Sequence, residues 1–274
     1  MNTRHDTTAM TEDVTAAVLL ERLDAYDPEA DHSDPVQFPD LVKRFPYFGG
    51  PTEGLQVAWV SNFSELAYCP YKIWHHIRGT PVIRPPRVAR AVTKGTRIHA
   101  ARETVKLEEL AKAKPATKKE LQDPSVDLVE LPECPARFRR EDWVYLAKLD
   151  GLSRESGDLV VHELKTGRYA GMPDHLLQVS AYCLASPGAM VQVTEGELRA
   201  KSVSWVVEYP NAGRTWGPFS FRSAQLELLD EAMSLFERTG MASRGSDTLD
   251  LGWRPPPSKC SPCGFAHACP WEAA

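Results

Sequence analysis

Two acidic residues and a lysine near the middle of the chain have types and spacing that could bind a metal ion. Asp150 follows the apolar run YLAKL, and Glu163-x-Lys165 lies in a second apolar run, VVHELK. RESGD, between them, predicts a tight β-hairpin turn about Ser156 and Gly157. In that register Asp150 faces Glu163, with Cβ atoms about 4.5–5.5 Å apart. Two carboxylates so close repel unless a cation lies between them, and hard oxygen ligands favour Mg²⁺ or Mn²⁺.

This pattern is suited to phosphodiester hydrolysis. A divalent ion polarises a phosphoryl oxygen and helps to generate hydroxide from water. Lys165 points to the same side of its strand as Glu163 and could orient the attacking water. Taken alone, however, two acids and a lysine on a hairpin are also typical of an exposed salt bridge.

Two motifs outside the hairpin add to the hydrolytic interpretation. Gly95-x-x-x-His99 lies in a predicted helix and offers a further metal ligand. Gln178 and Tyr182 are four residues apart, so they share one face of the helix predicted after the hairpin.

The elements that must position these residues form a mixed α/β pattern. A helix is predicted after Asn62, with a kink or break at Pro70, and a second helix over 91–114. The polar, proline-punctuated residues 113–135 are expected to be a connection. The remaining predicted elements are strands at 55–60, 142–154, 158–167 and 201–209 and helices at 174–186 and 223–240. This order predicts one mixed α/β domain.

Three closely spaced cysteines near the carboxyl end indicate a metal centre. Cys260-x-x-Cys263 and Cys269 provide three thiols, and a site of this kind needs a fourth ligand. This spacing does not separate zinc from an iron–sulfur cluster. His267 lies between two of the cysteines, whereas Cys183 lies in an apolar helix that is typical of a buried structural thiol. The candidates for the fourth ligand are Cys69, Cys134, Cys183 and His267.

The ordered set of motifs resembles the RecB-like branch of the PD-(D/E)XK nucleases. The motifs are Gly95…His99, Leu149-Asp150-Gly151, His162-Glu163-Leu164-Lys165-Thr166-Gly167 and Gln178-x-x-x-Tyr182. The resemblance covers about residues 58–270 and implies a restriction-endonuclease-like core, a central mixed sheet flanked by helices. It also implies that His99, Asp150, Glu163 and the Leu164 carbonyl hold Mg²⁺ or Mn²⁺, and that Lys165 assists the nucleophile. Gln178 and Tyr182 would support the site and contact DNA.

The cysteines extend this resemblance to the iron–sulfur nucleases of the same branch. These enzymes place one cysteine before the nuclease motifs and three after them. By that resemblance Cys69, Cys260, Cys263 and Cys269 bind one [4Fe–4S] cluster, which staples a helical subdomain to the core. In size and layout the chain is most similar to the CRISPR-associated Cas exonucleases of the spacer-acquisition module. Tyr71, however, stands where these proteins often have a basic residue.

The substrate and partners follow from the resemblance alone. The family implies a 5′→3′ exonuclease on single-stranded DNA that acts in spacer acquisition, or in phage or bacterial recombination and repair. A CRISPR integrase or a helicase is the implied protein partner.

Charge is distributed unevenly along the chain. Residues 1–50 hold four Lys or Arg and ten Asp or Glu, which predicts an acidic, partly disordered extension before a nuclease domain at 51–274. Residues 70–106 instead hold nine basic residues and one acid, Glu103. This stretch could follow a phosphate backbone or could simply be solvated. The candidate DNA-binding residues are Lys72, Arg87, Arg90, Lys94 and Arg97.

Two function classes remain besides the nuclease. One is a DNA-binding subunit, stapled by zinc or a cluster, whose nuclease site is idle. The other is a redox or metal-trafficking protein, which would leave the Glu163 and Lys165 pattern unexplained. No apolar run approaches the roughly 20 residues of a membrane helix, and acidic residues near the start argue against a secretion signal. A cytoplasmic protein without a membrane partner is therefore expected.

Overall fold

The chain forms a mixed α/β fold in which helices flank a six-stranded sheet. The computed structural model describes residues 15–45, 53–167, 172–194, 198–245, 251 and 253–269. The strands are β1 (Gln56–Trp59), β2 (Leu128–Arg140), β3 (Trp143–Glu155), β4 (Asp158–Leu164), β5 (Val203–Tyr209) and β6 (Arg214–Ser220). The helices are α1 (Ala16–Ala25), α2 (Phe38–Arg44), α3 (Asn62–Tyr68), α4 (Tyr71–Ile77), α5 (Pro86–Lys112), α6 (Lys118–Gln122), α7 (Pro173–Thr194), α8 (Ser223–Gly245) and α9 (Pro257–Cys260).

Strand β3 changes neighbours along its length, and this change creates the setting of the site. Antiparallel β2 pairs with β3 from Trp143 to Arg154 and occupies one edge. On the other edge, β1 pairs in parallel with residues 143–146, and β4 pairs antiparallel with residues 151–155. Residues 147–150 therefore lie in a gap between β1 and β4, and Asp150 is the last residue of that gap.

The hairpin between β3 and β4 has the predicted register. Ser156 and Gly157 have φ values of 54° and 98°, the two positive values that a type I′ turn requires. The pairs run from Glu155 with Asp158 to Gly151 with His162. The same register, continued by one residue, sets Asp150 opposite Glu163.

The helix predicted after Asn62 is broken at the predicted proline. Helix α3 ends at Tyr68 and α4 begins at Tyr71, so Cys69 and Pro70 form the joint. After β4, helix α7 carries the chain across to β5, which pairs with β4 in parallel. Strand β5 is almost entirely buried, as expected of a strand inside a sheet.

The prediction that residues 113–135 form only a connection was wrong. The segment contains the short helix α6, with a capping box between Thr117 and Glu120, and the first half of β2. Pro132 and Pro135 masked the strand in the sequence. They are tolerated because β2 lies at the edge of the sheet, where a missing N–H breaks no ladder on the outer side.

Residues 15–45 differ from the acidic extension that was expected for residues 1–50. Leu19 and Leu23 of α1 and Phe38 and Leu41 of α2 are buried in the main hydrophobic core. The acidic residues of these helices lie on their exposed faces, so the local charge did not reveal the buried leucines and phenylalanine on the inner faces. Residues 1–14 and 46–50 lie outside the described part of the chain. Among the helices described, none has the length and apolar character needed to cross a membrane.

Candidate metal and nuclease site

A row of polar side chains lies where β3 passes from β1 to β4. Asp150 Oδ2 accepts a hydrogen bond of 2.7 Å from the Leu164 N–H, and Asp150 Oδ1 lies 3.3 Å from His99 Nδ1 on α5. The next N–H, that of Lys165, donates to the Glu208 carbonyl. These bonds hold the backbone around Leu164, whose carbonyl was predicted as a metal ligand.

The lysine of the site is held by two acceptors. Lys165 Nζ lies 2.7 Å from Glu163 Oε1 and donates to Gln178 Oε1 at 2.6 Å. Gln178 Nε2 in turn donates to the Tyr182 hydroxyl at 3.0 Å. Helix α7 supplies both residues because Gln178 and Tyr182 are one turn apart. The structure therefore brings together all six predicted side chains of the motif set: His99, Asp150, Glu163, Lys165, Gln178 and Tyr182.

Burial and hydrogen bonding separate the proton affinities of the two facing carboxyl groups. Burial raises the pKa of Glu163 to about 7; Lys165 opposes this rise and Asp150 adds to it. Burial also acts to raise the pKa of Asp150, but His99 and the Leu164 N–H outweigh it, so the Asp150 pKa is lowered. The bond to Asp150 raises the pKa of His99. Asp150 is thus the stronger anion of the pair.

Gly95 allows α5 to approach the end of β4. A Cβ atom at Gly95 would lie 2.9 Å from Thr166 Oγ1, which is too close for an ordinary contact. The glycine thereby lets His99, one turn later, reach Asp150.

Arg102 is a supporting residue that sequence reasoning missed. Its guanidinium lies 2.8 Å from Glu130 and 3.0 Å from Glu208 and donates to the Asp150 carbonyl at 3.3 Å. It lies seven residues after Gly95 and three after His99, so helical spacing could have indicated it.

Glu133 of β2 is a second residue that was missed. His99, Glu133 and Asp150 each offer a ligand atom, and these atoms all lie within 4.8 Å of one another. Glu163 is not a member of this convergent group. Two of the three donors are carboxylate oxygens, which are suited to Mn²⁺ or Mg²⁺, so the residues present fit a divalent ion of that class. Glu133 was hidden because its strand had been interpreted as a connection.

Four of the six cysteines line one cavity. The cavity lies between the α3–α4 joint and the carboxyl-terminal segment and is lined by Cys69, Cys260, Cys263 and Cys269. Tyr68 Oη donates to the Lys259 carbonyl at 2.6 Å, which ties the two segments together. His267 does not line this cavity. Cys134 and Cys183 are buried elsewhere, in β2 and α7.

The spacing of the thiols bears on which group would fit. Burial and the neighbouring Cys263 and Cys269 raise the pKa of Cys69 to about 12, so its thiolate needs a cation nearby. A tetrahedral zinc ion with bonds of about 2.3 Å would bring its sulfur atoms to about 3.8 Å from one another. No three of the described cysteines converge within 4.8 Å. In every set of three described cysteines, at least two sulfur atoms are therefore farther apart than a tetrahedral zinc site allows.

The candidate DNA-binding residues fall into two groups. Arg87, Arg90, Lys94 and Arg97 are exposed on α5 at spacings of three and four, so they form one stripe along the helix, the basic stripe. No ion pair joins them to any residue that the structure describes. Lys72, in contrast, lies 3.0 Å from Glu65 and above the Tyr68 ring, so its charge is compensated locally.

Comparisons with known proteins assign no family. No protein-family model matches the sequence, and no curated protein matches it. A crystal structure of the protein SSO0001 superposes with a TM-score of 0.40 at 15% sequence identity, over 93% of this chain and 96% of that chain. At this level the similarity indicates neither a family nor a function.

Proposed function

We propose that this chain is a divalent-metal-dependent DNA nuclease of the RecB-like PD-(D/E)XK type, with a four-cysteine [4Fe–4S] cluster in a helical subdomain. The observation that supports it best is the environment of Lys165, which contacts Glu163 and Gln178 while Glu163 faces Asp150 across the hairpin. A salt bridge on an exposed hairpin would not need a buried glutamate, and Glu163 is only 3% exposed.

The side chains of the site have separable tasks in phosphodiester hydrolysis. Asp150, Glu163 and His99 would hold the metal, together with the Leu164 carbonyl. The metal, when bound, polarises the phosphate and acidifies water. Lys165 has three N–H donors, and two of them are directed at Glu163 and Gln178. Its third donor has no acceptor among the described residues and would orient the attacking water or a phosphate oxygen.

A gel assay tests the proposal. Anaerobically purified wild type and Lys165→Ala are incubated with 5′- or 3′-labelled single- and double-stranded DNA and Mn²⁺, Mg²⁺ or EDTA. We expect metal-dependent degradation by wild type and a loss of at least about 100-fold in Lys165→Ala. Lys114→Ala is the matched control, because Lys114 is 78% exposed and lies outside the site. Unchanged cleavage by folded Lys165→Ala would rule out the assignment.

The same assay also tests the substrate and the cleavage direction that the resemblance implies. A ladder from one labelled end gives the polarity, for which 5′→3′ action on single strands is expected. As part of the same proposal, the nuclease would act in CRISPR spacer acquisition, recombination or repair. Its protein partner would be an integrase or a helicase.

The basic stripe favours a second candidate, a DNA-binding subunit with an idle nuclease site. Its four cations lack described acidic partners and could neutralise phosphates. Tight, salt-dependent DNA binding without cleavage in any metal would select this function. In either case we expect Arg90→Gln to weaken DNA binding and to reduce the slope of log affinity against log salt concentration by about one. Lys112→Gln, near the other end of α5, serves as its control.

A further inference from the structure

Three carboxylates stand in a row across three neighbouring strands. Strand β2 pairs Pro132 with Gly151 and Cys134 with Leu149, so Glu133 faces Asp150 from one side. The hairpin register sets Glu163 opposite Asp150 on the other side. Facing residues point to the same face of a sheet, with Cβ atoms about 4.5–5.5 Å apart. Asp150 therefore has an acidic neighbour on both sides.

The atoms that already converge lie on the β2 side of Asp150. His99 Nδ1 is 3.3 Å from Asp150 Oδ1, and a Glu133 oxygen completes the set within 4.8 Å. The other Asp150 oxygen is bound by the Leu164 N–H, toward β4. An imidazole makes this group more than an acidic cluster, since neutral imidazole is a common metal ligand.

Two further features of this row of carboxylates bear on cation binding, one at Glu133 and one at the neighbouring Glu163 position. Glu133 has a φ of 54°, a left-handed conformation that is uncommon for residues other than glycine and often marks functional sites. Glu163 is 3% exposed, and its Oε2 atom is buried with no hydrogen-bond partner among the described residues. A buried carboxylate oxygen without a partner is costly unless a cation or water satisfies it.

We propose that Glu133, Asp150 and His99 form a second divalent-cation position, beside the one that Asp150 shares with Glu163. In this arrangement His99 ligates the second ion, and the first position keeps Asp150, Glu163 and the Leu164 carbonyl. The inference rests on the proposed function for the Glu163 position and assigns a ligand role to Glu133. Asp150 is the shared carboxylate. Lys148 forms an ion pair with Glu133 and would have to release it when the cation binds. With its side chain 59% exposed, Lys148 can turn toward solvent at little cost.

Calorimetric titration of the full-length protein with Mn²⁺, without DNA, tests this position. We expect two Mn²⁺ per wild-type chain and one per Glu133→Gln chain. Glu141→Gln is the matched control: Glu141 also has a positive φ, 51°, and loses the same charge, but it lies in the β2–β3 turn. It should bind two. Lys148→Met separates the roles of Glu133, because a ligand freed from a competing lysine should bind Mn²⁺ more tightly.

The results that would overturn the second cation position differ from those that would overturn the nuclease proposal. Two Mn²⁺ per Glu133→Gln chain, or one per wild-type chain, would overturn the second position and leave the nuclease proposal standing. Weaker binding in Lys148→Met would also overturn it, because Glu133 would then act only by holding the lysine. Undiminished Mn²⁺ binding by Asp150→Asn would overturn the metal site as a whole. Circular dichroism establishes that each variant is folded.

Discussion

The residues of the candidate site differ in their hydrogen-bond partners and, as a result, in their pKa values. Asp150 receives two hydrogen-bond donors, and its pKa is lowered despite burial, whereas burial leaves Glu163 with a pKa of about 7. Facing carboxyl groups whose pKa values are driven apart are typical of sites that bind cations or transfer protons. Lys165 is fixed by a chain of hydrogen bonds through Gln178 to Tyr182.

Replacing Gln178 tests whether this chain positions Lys165. We expect Gln178→Leu to lower the single-turnover cleavage rate by about 10–100-fold, because Lys165 loses the acceptor that fixes its direction. Gln225→Leu is the matched control: Gln225 is equally buried and bonds to Trp205 and Ser180, away from the site. It should cost stability but leave the rate unchanged. Equal rate losses in the two variants would contradict a positioning role.

His175 gives a pH dependence of stability. Burial lowers its pKa to about 4; Asp174 opposes this and Lys165 adds to it. In the unfolded chain its pKa is about 6.5, so between those values the unfolded state binds the extra proton and acid destabilises the fold. The loss at pH 5 is about 2 kcal/mol relative to neutral pH.

Urea unfolding of wild type and His175→Gln at pH 7.5 and pH 5 measures this effect. Glutamine keeps a polar partner for the Tyr209 hydroxyl, which lies 2.9 Å from His175 Nδ1, but does not titrate. We expect the difference in free energy of unfolding between the two proteins to shift in favour of the variant at pH 5. Taking this difference cancels the titration of other groups, including Glu163. An unchanged difference would show that His175 titrates normally.

At the scale of elements, the site depends on where α5 crosses the gap in β3. Along most of its length α5 is exposed, and Gly95 is its buried residue. His99 and Arg102 follow on the inner side, and the basic stripe lies on an outer side. The helix therefore joins the basic stripe to the candidate metal site in one rigid segment.

Gly95→Ala should displace α5 without unfolding it. The added Cβ would lie 2.9 Å from Thr166 Oγ1, so either the helix or the threonine must move and His99 shifts from Asp150. We expect Mn²⁺ affinity to fall about 10-fold, while the helix itself gains about 0.5–1 kcal/mol from alanine.

A second substitution checks the cause of that loss. Thr166→Ala removes the clashing oxygen, and the remaining Thr166 Cβ would be 3.9 Å away, an ordinary contact. The double variant should therefore recover the wild-type Mn²⁺ affinity. If it does not, the close approach of α5 to Thr166 is not what Gly95 provides.

At the scale of the whole molecule, the cysteine cavity lies between two segments that are far apart in the sequence. Its four thiols come from the α3–α4 joint and from the segment after α8. A group bound by all four thiols would therefore restrain chain segments that are far apart in sequence and would contribute directly to folding.

Cys263→Ser tests this role. We expect loss of the bound iron and of its visible absorption, with a fall in stability on the order of several kcal/mol. Cys134→Ala is the control, because Cys134 is buried in β2, outside the cavity, and bonds only to the Leu131 carbonyl among the described residues. It should retain the full iron content. Full iron content and unchanged stability in Cys263→Ser would contradict the cluster assignment.

The features that the sequence by itself determined are those decided by nearby residues. The turn at Ser156 and Gly157 sets the hairpin register and so places Asp150 opposite Glu163. Pro70 breaks the helix at Cys69, and Gln178 and Tyr182 share a helix face because they are one turn apart. In each case the geometry follows from backbone conformation over a few residues.

Only the tertiary structure decided the contacts between distant segments. Glu133 lies beside Asp150 on the side away from Glu163. This contact exists because residues 128–140 form a strand, β2, and because β2 pairs with the edge of β3 opposite β4. Likewise, the packing of residues 15–45 and the meeting of Cys69 with the last three cysteines depend on how separate elements close around one core. Local sequence does not predict such contacts, because they arise when apolar faces of separate elements are buried together. Many arrangements of the same elements could bury those faces.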